Sequence, residues 1–228
     1  MKNKRILITG MAGSIGSELA RQLCVKNKIY GLDLSEMGLH RLKRELGVPV
    51  RVGDIRNRET IRNVFDDFKP QVVIHAAANK SVDMMEYVPS EAISTNVNGT
   101  ENVLDYSKIF EVEKFVYIST DKVVNATSVM GQTKKLGETM TVNSGKGYLA
   151  VRFGNVIGST GSLIEIWEDQ INRGKPITIT DERMARYFMT IPEAINLVIQ
   201  AAELGEGGEV ICFEMGKPVR IRELAEEI

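Results

Sequence analysis

A hydroxyl, a carboxyl and an amine stand side by side at Thr120-Asp121-Lys122, inside the run STDKVVNATSVMGQTK that spans residues 119–134. A carboxyl can give a proton and a neutral amine can take one, so the triplet has the parts of an acid–base pair. Downstream, Met130 and Lys134 have the spacing that puts two side chains one turn apart on one face of a helix. A thioether neither takes nor gives a proton, so Met130 leaves Lys134 without a proton-transferring neighbour at that spacing. On spacing alone, the triplet is also what a polar strand end with a solvated lysine looks like. Lys134 could likewise be a surface helix lysine beside Lys135.

The other chemistry-bearing pattern lies near the N-terminus. TGMAGSIG places Gly10, Gly13 and Gly16 three apart, with Ser14 and Ile15 between the last two. In such a run one glycine makes a tight turn, one lets the backbone approach a pyrophosphate, and one lets helix and strand pack closely. The helix start offers N–H groups and partial positive charge to phosphates. A glycine trio alone could be an ordinary turn, but Asp33, 20 residues after Gly13, narrows the reading. A carboxylate there can accept hydrogen bonds from a ribose diol and would repel a 2′-phosphate, and no arginine follows at once. The expected cofactor is NAD rather than NADP. Asp54 and Ile55 are expected near the adenine edge. Ala76, Ala77 and Ala78 are small enough for close cofactor approach. His75 is assigned to the core, and His40 receives no role.

These residues need strands and helices to place them. Strands are expected at 5–9, 29–33, 48–52, 71–75, 114–119 and 148–151, and helices at 14–25, 36–46, 58–68, 90–110 and 129–143. Strand and helix in alternation imply right-handed crossovers and a parallel sheet covered on both faces, an α/β doubly wound, Rossmann-like fold. The near-continuous apolar strands fit that burial. Strand ends then carry both Asp33 and the 120–122 triplet to the ligand crevice. From Arg152 the pattern loosens: glycine and serine cluster at 154–162, a helix is expected at 163–172, a strand at 176–180, and helices at 192–204 and 221–228. The expected division is a dinucleotide-binding domain over 1–151 and a smaller lobe over 152–228, intertwined as one compact unit.

Bulk composition sets limits. The chain has 228 residues, 43% of them hydrophobic, enough for a buried core. Its 29 basic and 30 acidic side chains nearly cancel, which argues against a general nucleic-acid partner. Cys24 and Cys212 lie far apart in apolar segments and read as buried free thiols in a reducing compartment, with no metal site. No run approaches the ~20 apolar residues of a membrane helix. The basic-then-apolar start, MKNKRILITG, flows into the glycine turn instead of a cleavage site. A cytoplasmic protein is expected. The C-terminus stops within the last expected helix, which reads as a shortened version of a longer chain.

Taken together, the motifs resemble an extended short-chain dehydrogenase/reductase. More narrowly, they are similar to the polysaccharide-biosynthesis UDP-N-acetylglucosamine 4,6-dehydratases, which make 4-keto-6-deoxy-N-acetylhexosamines. The matching stretches are ILITGMAGSIGSEL, DLSE, GDIRNRE, HAAANKSV, NVNGTENV, STDKVVNATSVMGQTKK, VRFGNVIGSTGS, RYFMTIPEA and GEGGEV followed by MGKPV. They span nearly the whole chain.

The resemblance carries a chemistry. The superfamily's usual pair is tyrosine and lysine four apart, but one branch of these dehydratases is similar to this chain in carrying methionine, here Met130. What it implies is hydride removal from sugar C4, proton removal at C5 by a neutral Lys122, proton donation by a protonated Asp121 to the departing C6 hydroxyl, and hydride return at C6. Lys134 is implied at the cofactor ribose. The C4 hydroxyl proton would go to Asp121 or to a water held by Thr120 and Lys134. Arg152, Asn155, Arg186 and Lys80 are implied in binding the UDP-sugar. Family members continue for some tens of residues past this chain's end, and the long members carry a membrane region before the first strand. A complete cofactor half and a shortened substrate half are therefore expected. The family also implies a homo-oligomer built on the helices near 90–110 and 129–143. Two other readings share these residues: a UDP-sugar 4-epimerase or 4-keto reductase, and a non-catalytic NAD-binding protein.

Overall fold

Alternate residues of each apolar strand pack to opposite sides, and this decides the architecture. The computed structural model describes residues 1–159 and 161–227. In β1 (Arg5–Thr9), Ile6 and Ile8 join one core cluster while Leu7 joins another. The same split recurs in β4 (Val72–His75), β5 (Lys114–Ile118) and β6 (Tyr148–Arg152). With β2 (Lys28–Asp33), β3 (Val50–Val52) and β10 (Val210–Cys212) they form a seven-stranded sheet, ordered β10-β6-β5-β4-β1-β2-β3. Every pairing in it is parallel. A sheet of this kind needs helices on both faces. α1 (Ser14–Leu23), α2 (Glu36–Leu46) and α9 (Ile191–Leu204) bury residues in the first cluster. α3 (Arg58–Phe68) and α6 (Thr100–Ile109) bury residues in the second.

The chain runs β1-β2-β3 in one direction and then restarts at β4 on the other side of β1. A crevice for ligands is expected at that switch point, outside the carboxyl ends of β1 and β4. α7 (Val129–Val142) packs beside β5 and β6.

Several expectations need correction. The helix expected over 90–110 is broken into α5 (Pro89–Ala92), a π turn (Ile93–Gly99) and α6, after a separate α4 (Val82–Tyr87). The strand expected at 176–180 does not form. Its backbone is bound by side chains of α8 (Leu163–Asn172): Trp167 Nε1 donates to the Thr178 carbonyl at 2.9 Å, and the Thr178 N–H donates to Gln170 Oε1 at 3.0 Å. Four short strands were not expected: β7 (Asn155–Ile157) pairs with β9 (Phe188–Thr190), and β8 (Ala185–Arg186) pairs with β11 (Val219–Arg220). β10 was also missed. The thiols are not buried as expected: Cys24 is half-buried, and Cys212, on the edge strand β10, is exposed. The last helix, α10 (Ile221–Glu226), stops short of Ile228, which lies outside the described residues, as does Thr160 in the glycine-rich stretch. Among the described residues no helix is long and apolar enough to cross a membrane.

Candidate active site

The glycine turn closes over the end of β4. Gly10 has φ +70°, and a Cβ on it would stand 2.6 Å from the Ala77 nitrogen. A Cβ on Gly16 would stand 2.2 Å from the Gly10 carbonyl oxygen, so only glycine lets α1 pack there. Gly13 differs. A Cβ there would meet nothing nearer than the Gly10 carbonyl at 3.4 Å, so the protein's own packing tolerates a side chain. The space left bare at Gly13 faces the start of α1, which has no side-chain cap. A cradle that a Cβ would fill, at a helix N-terminus, fits a dinucleotide pyrophosphate.

Asp33, at the end of β2, is fixed by two backbone donors. Ala12 N donates to one carboxylate oxygen and Ser35 N to the other, both at 2.9 Å. A carboxylate offers about four lone-pair sites, so two remain for a ribose diol. Asp54 accepts from Arg56 at 2.7 Å, and Arg56 also pairs with Glu91. Burial pushes the Asp54 carboxyl up, but the Arg56 bonds prevail and hold it below the usual range. Ile55 is buried, and its carbonyl accepts from Asn102. Ala76, Ala77 and Ala78 follow β4 beside the turn.

His75 belongs to the core, as its sequence context implied. Thr100 Oγ1 spends its hydrogen on the Asn96 carbonyl at 2.7 Å, so at 3.0 Å it accepts from His75 Nε2. Thr9 Oγ1 then donates to His75 Nδ1 at 2.6 Å. The ring is neutral: burial, aided by the Lys134 charge, lowers its pKa to about 3.

At the end of β5 the triplet forms a compact hydrogen-bonded group in a short 3-10 turn (Asp121–Val123). Thr120 Oγ1 donates to Asp121 Oδ1 at 3.0 Å. Lys122 Nζ donates to the same oxygen at 3.0 Å and to Asn155 Oδ1 at 2.9 Å. The Asp121 N–H donates to the Phe153 carbonyl at 3.1 Å, clipping this turn to the chain leaving β6. α7 presses from the other side, where a Cβ on Gly131 would stand 2.8 Å from the Lys122 carbonyl oxygen.

Lys134 and Met130 part company. Lys134 is 6% exposed, donates to the Ile118 carbonyl at 2.5 Å, and lies 4.1 Å above the centre of the Tyr117 ring. Burial lowers its pKa to about 7, against the pull of Glu138. Met130 is 3% exposed and packs with Met85 and Ala92 in a small apolar cluster. Its thioether fills space between α7 and the α4–α5 segment.

Of the remaining substrate candidates, Asn155 joins the triplet directly. Its N–H donates to the Tyr187 carbonyl at 2.9 Å, while Arg186, one residue earlier, donates to the Ala185 carbonyl at 3.0 Å and, among the described residues, makes no hydrogen bond to the triplet. Arg152 is committed elsewhere. Its guanidinium takes both oxygens of Glu138, at 2.8 and 2.5 Å, and Ser119 Oγ donates to Glu138 at 2.9 Å. Burial pushes the Glu138 carboxyl up; the Arg152 and Ser119 bonds outweigh it and hold it below the usual range. Sequence reasoning missed Glu138, four residues after Lys134 on the same helix face, and also missed the Asn79–Asn96 pair beside the crevice. Lys80 follows the alanines, and its pKa is lowered by burial, with Glu165 opposing and Lys122 adding.

A family model described as "polysaccharide biosynthesis protein" matches residues 6–228. The capsular polysaccharide biosynthesis protein CapD of Staphylococcus aureus is 47% identical over 244 residues, an alignment covering 100% of this chain and 41% of CapD. The chain therefore spans about two fifths of the length of that curated relative. Among solved structures, Pen from Bacillus thuringiensis superposes with a TM-score of 0.92 at 33% identity, covering 99% of this chain and 72% of Pen. The Bordetella bronchiseptica enzyme WbmH, solved in complex with NAD+, superposes with a TM-score of 0.84 at 25% identity, covering 98% of this chain and 79% of WbmH.

Proposed function

Since the chain belongs to the polysaccharide biosynthesis protein family and is an extended short-chain dehydrogenase/reductase, we propose that it is an NAD-dependent 4,6-dehydratase of UDP-N-acetylglucosamine. The observation that carries this reading is the contact of Lys122 Nζ with Asp121 Oδ1, 3.0 Å, at the mouth of β5. A 4-epimerase needs no proton removed at C5, whereas a dehydratase needs a base there and an acid for the leaving hydroxyl.

NAD, when bound, supplies the acceptor for the C4 hydride and its donor at C6. Gly10, Gly13 and Gly16, with the head of α1 at Ser14 and Ile15, would hold its pyrophosphate, and Asp33 its adenosine ribose. Asp54 and Ile55 would border the adenine, Ala76–Ala78 would admit the cofactor closely, and Lys134 would hold the nicotinamide ribose. Lys122 removes the C5 proton and returns one to C5 once C6 is reduced, and Asp121 protonates the C6 hydroxyl, which departs as water. An ammonium–carboxylate pair and an amine–acid pair differ by one proton moved from Nζ to the carboxyl; carried on Oδ2, it leaves Oδ1 still accepting from Lys122 and Thr120. The reaction uses the amine–acid arrangement. The C4 hydroxyl proton leaves to a water held by Thr120 and Lys134, since Met130 cannot take it and a protonated Asp121 has no room for it. Asn155 and Arg186 bind the diphosphate, with Lys80 at the sugar. Arg152 holds Glu138, and through it α7, instead of touching substrate.

The test is incubation with UDP-N-acetylglucosamine and NAD+, with the sugar products resolved by mass spectrometry and NMR. A UDP-4-keto-6-deoxy sugar is expected. Asp121→Asn should lower its formation about 100-fold or more, the scale of a lost general acid. Undiminished turnover in that variant would remove Asp121 from the mechanism. A C4 epimer or a net-reduced sugar would replace dehydration with the epimerase or reductase reading, and NAD binding without any product would end the enzymatic one.

A further inference from the structure

An amine acting as a base must present its lone pair to the substrate, and the surroundings of Lys122 decide where that lone pair points. A neutral amine nitrogen carries two hydrogens and one lone pair in tetrahedral arrangement. Here Nζ has two acceptors, Asp121 Oδ1 at 3.0 Å and Asn155 Oδ1 at 2.9 Å. We propose that Asn155 is a positioning residue for the base. Its amide oxygen takes one N–H of Lys122 while Asp121 takes the other, so the lone pair is left directed out of the pair. This deepens the dehydratase reading and rests on it.

Three features hold Asn155 in that role. It opens β7, with its backbone pinned to Tyr187 by a 2.9 Å hydrogen bond. The preceding Gly154 lies so close to the same residue that a Cβ would stand 2.7 Å from the Tyr187 carbonyl oxygen. The Lys122 turn is clipped to Phe153, two residues before Asn155, through the Asp121 N–H. Base and amide are thus set by one stretch of backbone. The amide nitrogen is a donor suited to a phosphate oxygen, so one side chain links the anionic end of the substrate to the aim of the base.

Of the charged groups, Asp121 on its own turn pairs with Lys122, and Lys80 after β4 is electrostatically coupled to it, with Glu165 of α8 acting on Lys80. None of them supplies a second neutral acceptor for Nζ.

The experiment reads C5 chemistry alone. The UDP-4-keto-6-deoxy sugar is incubated with enzyme in D2O, and deuterium at C5 is followed by mass spectrometry. In that exchange the C5–H electron pair moves into the adjacent ketone as an enolate, and the proton goes to Nζ. Solvent replaces it, and a deuteron returns to C5. Asn155→Leu removes the acceptor and should cut the exchange rate at saturating sugar about 100-fold. Asn155→Asp keeps an acceptor oxygen, so exchange should persist. Its added negative charge favours the ammonium, so the pH optimum should move upward, and loss of the amide donor should raise KM. A side chain at 155 turned away from Nζ would leave the optimum in place. Asn155→Leu exchanging within threefold of wild type, or Asn155→Asp keeping the wild-type optimum, would overturn the proposal. The Asn155→Asp profile decides it even where Asn155→Leu does not fold. Wild-type protein that neither dehydrates UDP-N-acetylglucosamine nor exchanges C5 would instead overturn the dehydratase reading.

Discussion

Lys134 is a residue that costs stability where it stands. Its amine is buried, with one carbonyl and one aromatic face for company. Its folded pKa, about 7, lies below its ordinary value of 10.5. Between those two pH values the unfolded chain binds a proton that the folded chain does not, so folding gains stability as pH rises through that window. Below about pH 7 the penalty of the buried ammonium is present in full. Lys134→Met should therefore stabilise the protein at pH 6.5 by roughly 2–4 kcal/mol, at ~1.4 kcal/mol per pH unit, with the gain shrinking towards pH 10. Thermal melts at pH 6.5 and pH 9.5 check this; equal gains at both would show that burial of charge is not the cause. A costly lysine in a core supports a functional role. The sequence spacing paired it with Met130, and packing shows why that pairing has no chemistry: the thioether belongs to a cluster with Met85 and Ala92.

The π turn is where an element departs most from its sequence pattern. Apolar spacing over 90–110 is helical throughout, and nothing in it announces an extra residue in a turn. The reason lies in tertiary contacts. A Cβ on Gly99 would stand 2.7 Å from the Ile55 side chain, so the helix runs hard against the loop after β3. Within the π turn, buried Asn96 accepts from the Asn79 N–H at 2.8 Å and donates to the Asn79 carbonyl at 2.9 Å and to Thr133 Oγ1 at 3.0 Å. One side chain thereby ties the loop after β4, with its alanines and Lys80, to α7. Asn96→Ala should cost about 2–3 kcal/mol, since each buried polar group left without a partner costs ~1–3 kcal/mol. It should also speed hydrogen exchange at the Asn79 amide. Chemical denaturation and exchange measured together test this, and a loss of stability with unchanged exchange would place the effect elsewhere. Strands with continuous apolar runs and helices such as α3, expected over 58–68, were legible in the sequence. The glycine trio, Asp33 and the 120–122 triplet were legible for the same reason, because their spacing is local. β7 through β9, β10 and the Glu138–Arg152 pair were not, because two- and three-residue strands and long-range ion pairs leave no period to read.

At the scale of the whole molecule, the division expected after residue 151 is a change of pattern in the sequence, and the core crosses it. Val151 and Phe153, on either side, share one cluster with Ile6 and Ile8 of β1 and with Ile195, Val198 and Phe213. α9 buries Ala194, Ile195, Val198, Ala201 and Ala202, and it packs on α1. β10 then adds the seventh strand of the sheet beside β6. Residues after 190 thus complete both a covered face and an edge of the seven-stranded sheet. The chemistry depends on the same closure, since Lys122 comes from the end of β5 and its partner Asn155 from beyond β6. We expect the chain to unfold as one cooperative unit, with a single calorimetric transition whose measured enthalpy equals its van't Hoff enthalpy. A chain ended at Thr190 leaves the α1 side of the first cluster and the edge of β6 uncovered, and it should show no cooperative melt. Two resolved transitions in the intact chain, or a cooperative melt in the shortened one, would mean that the lobe folds apart from the sheet.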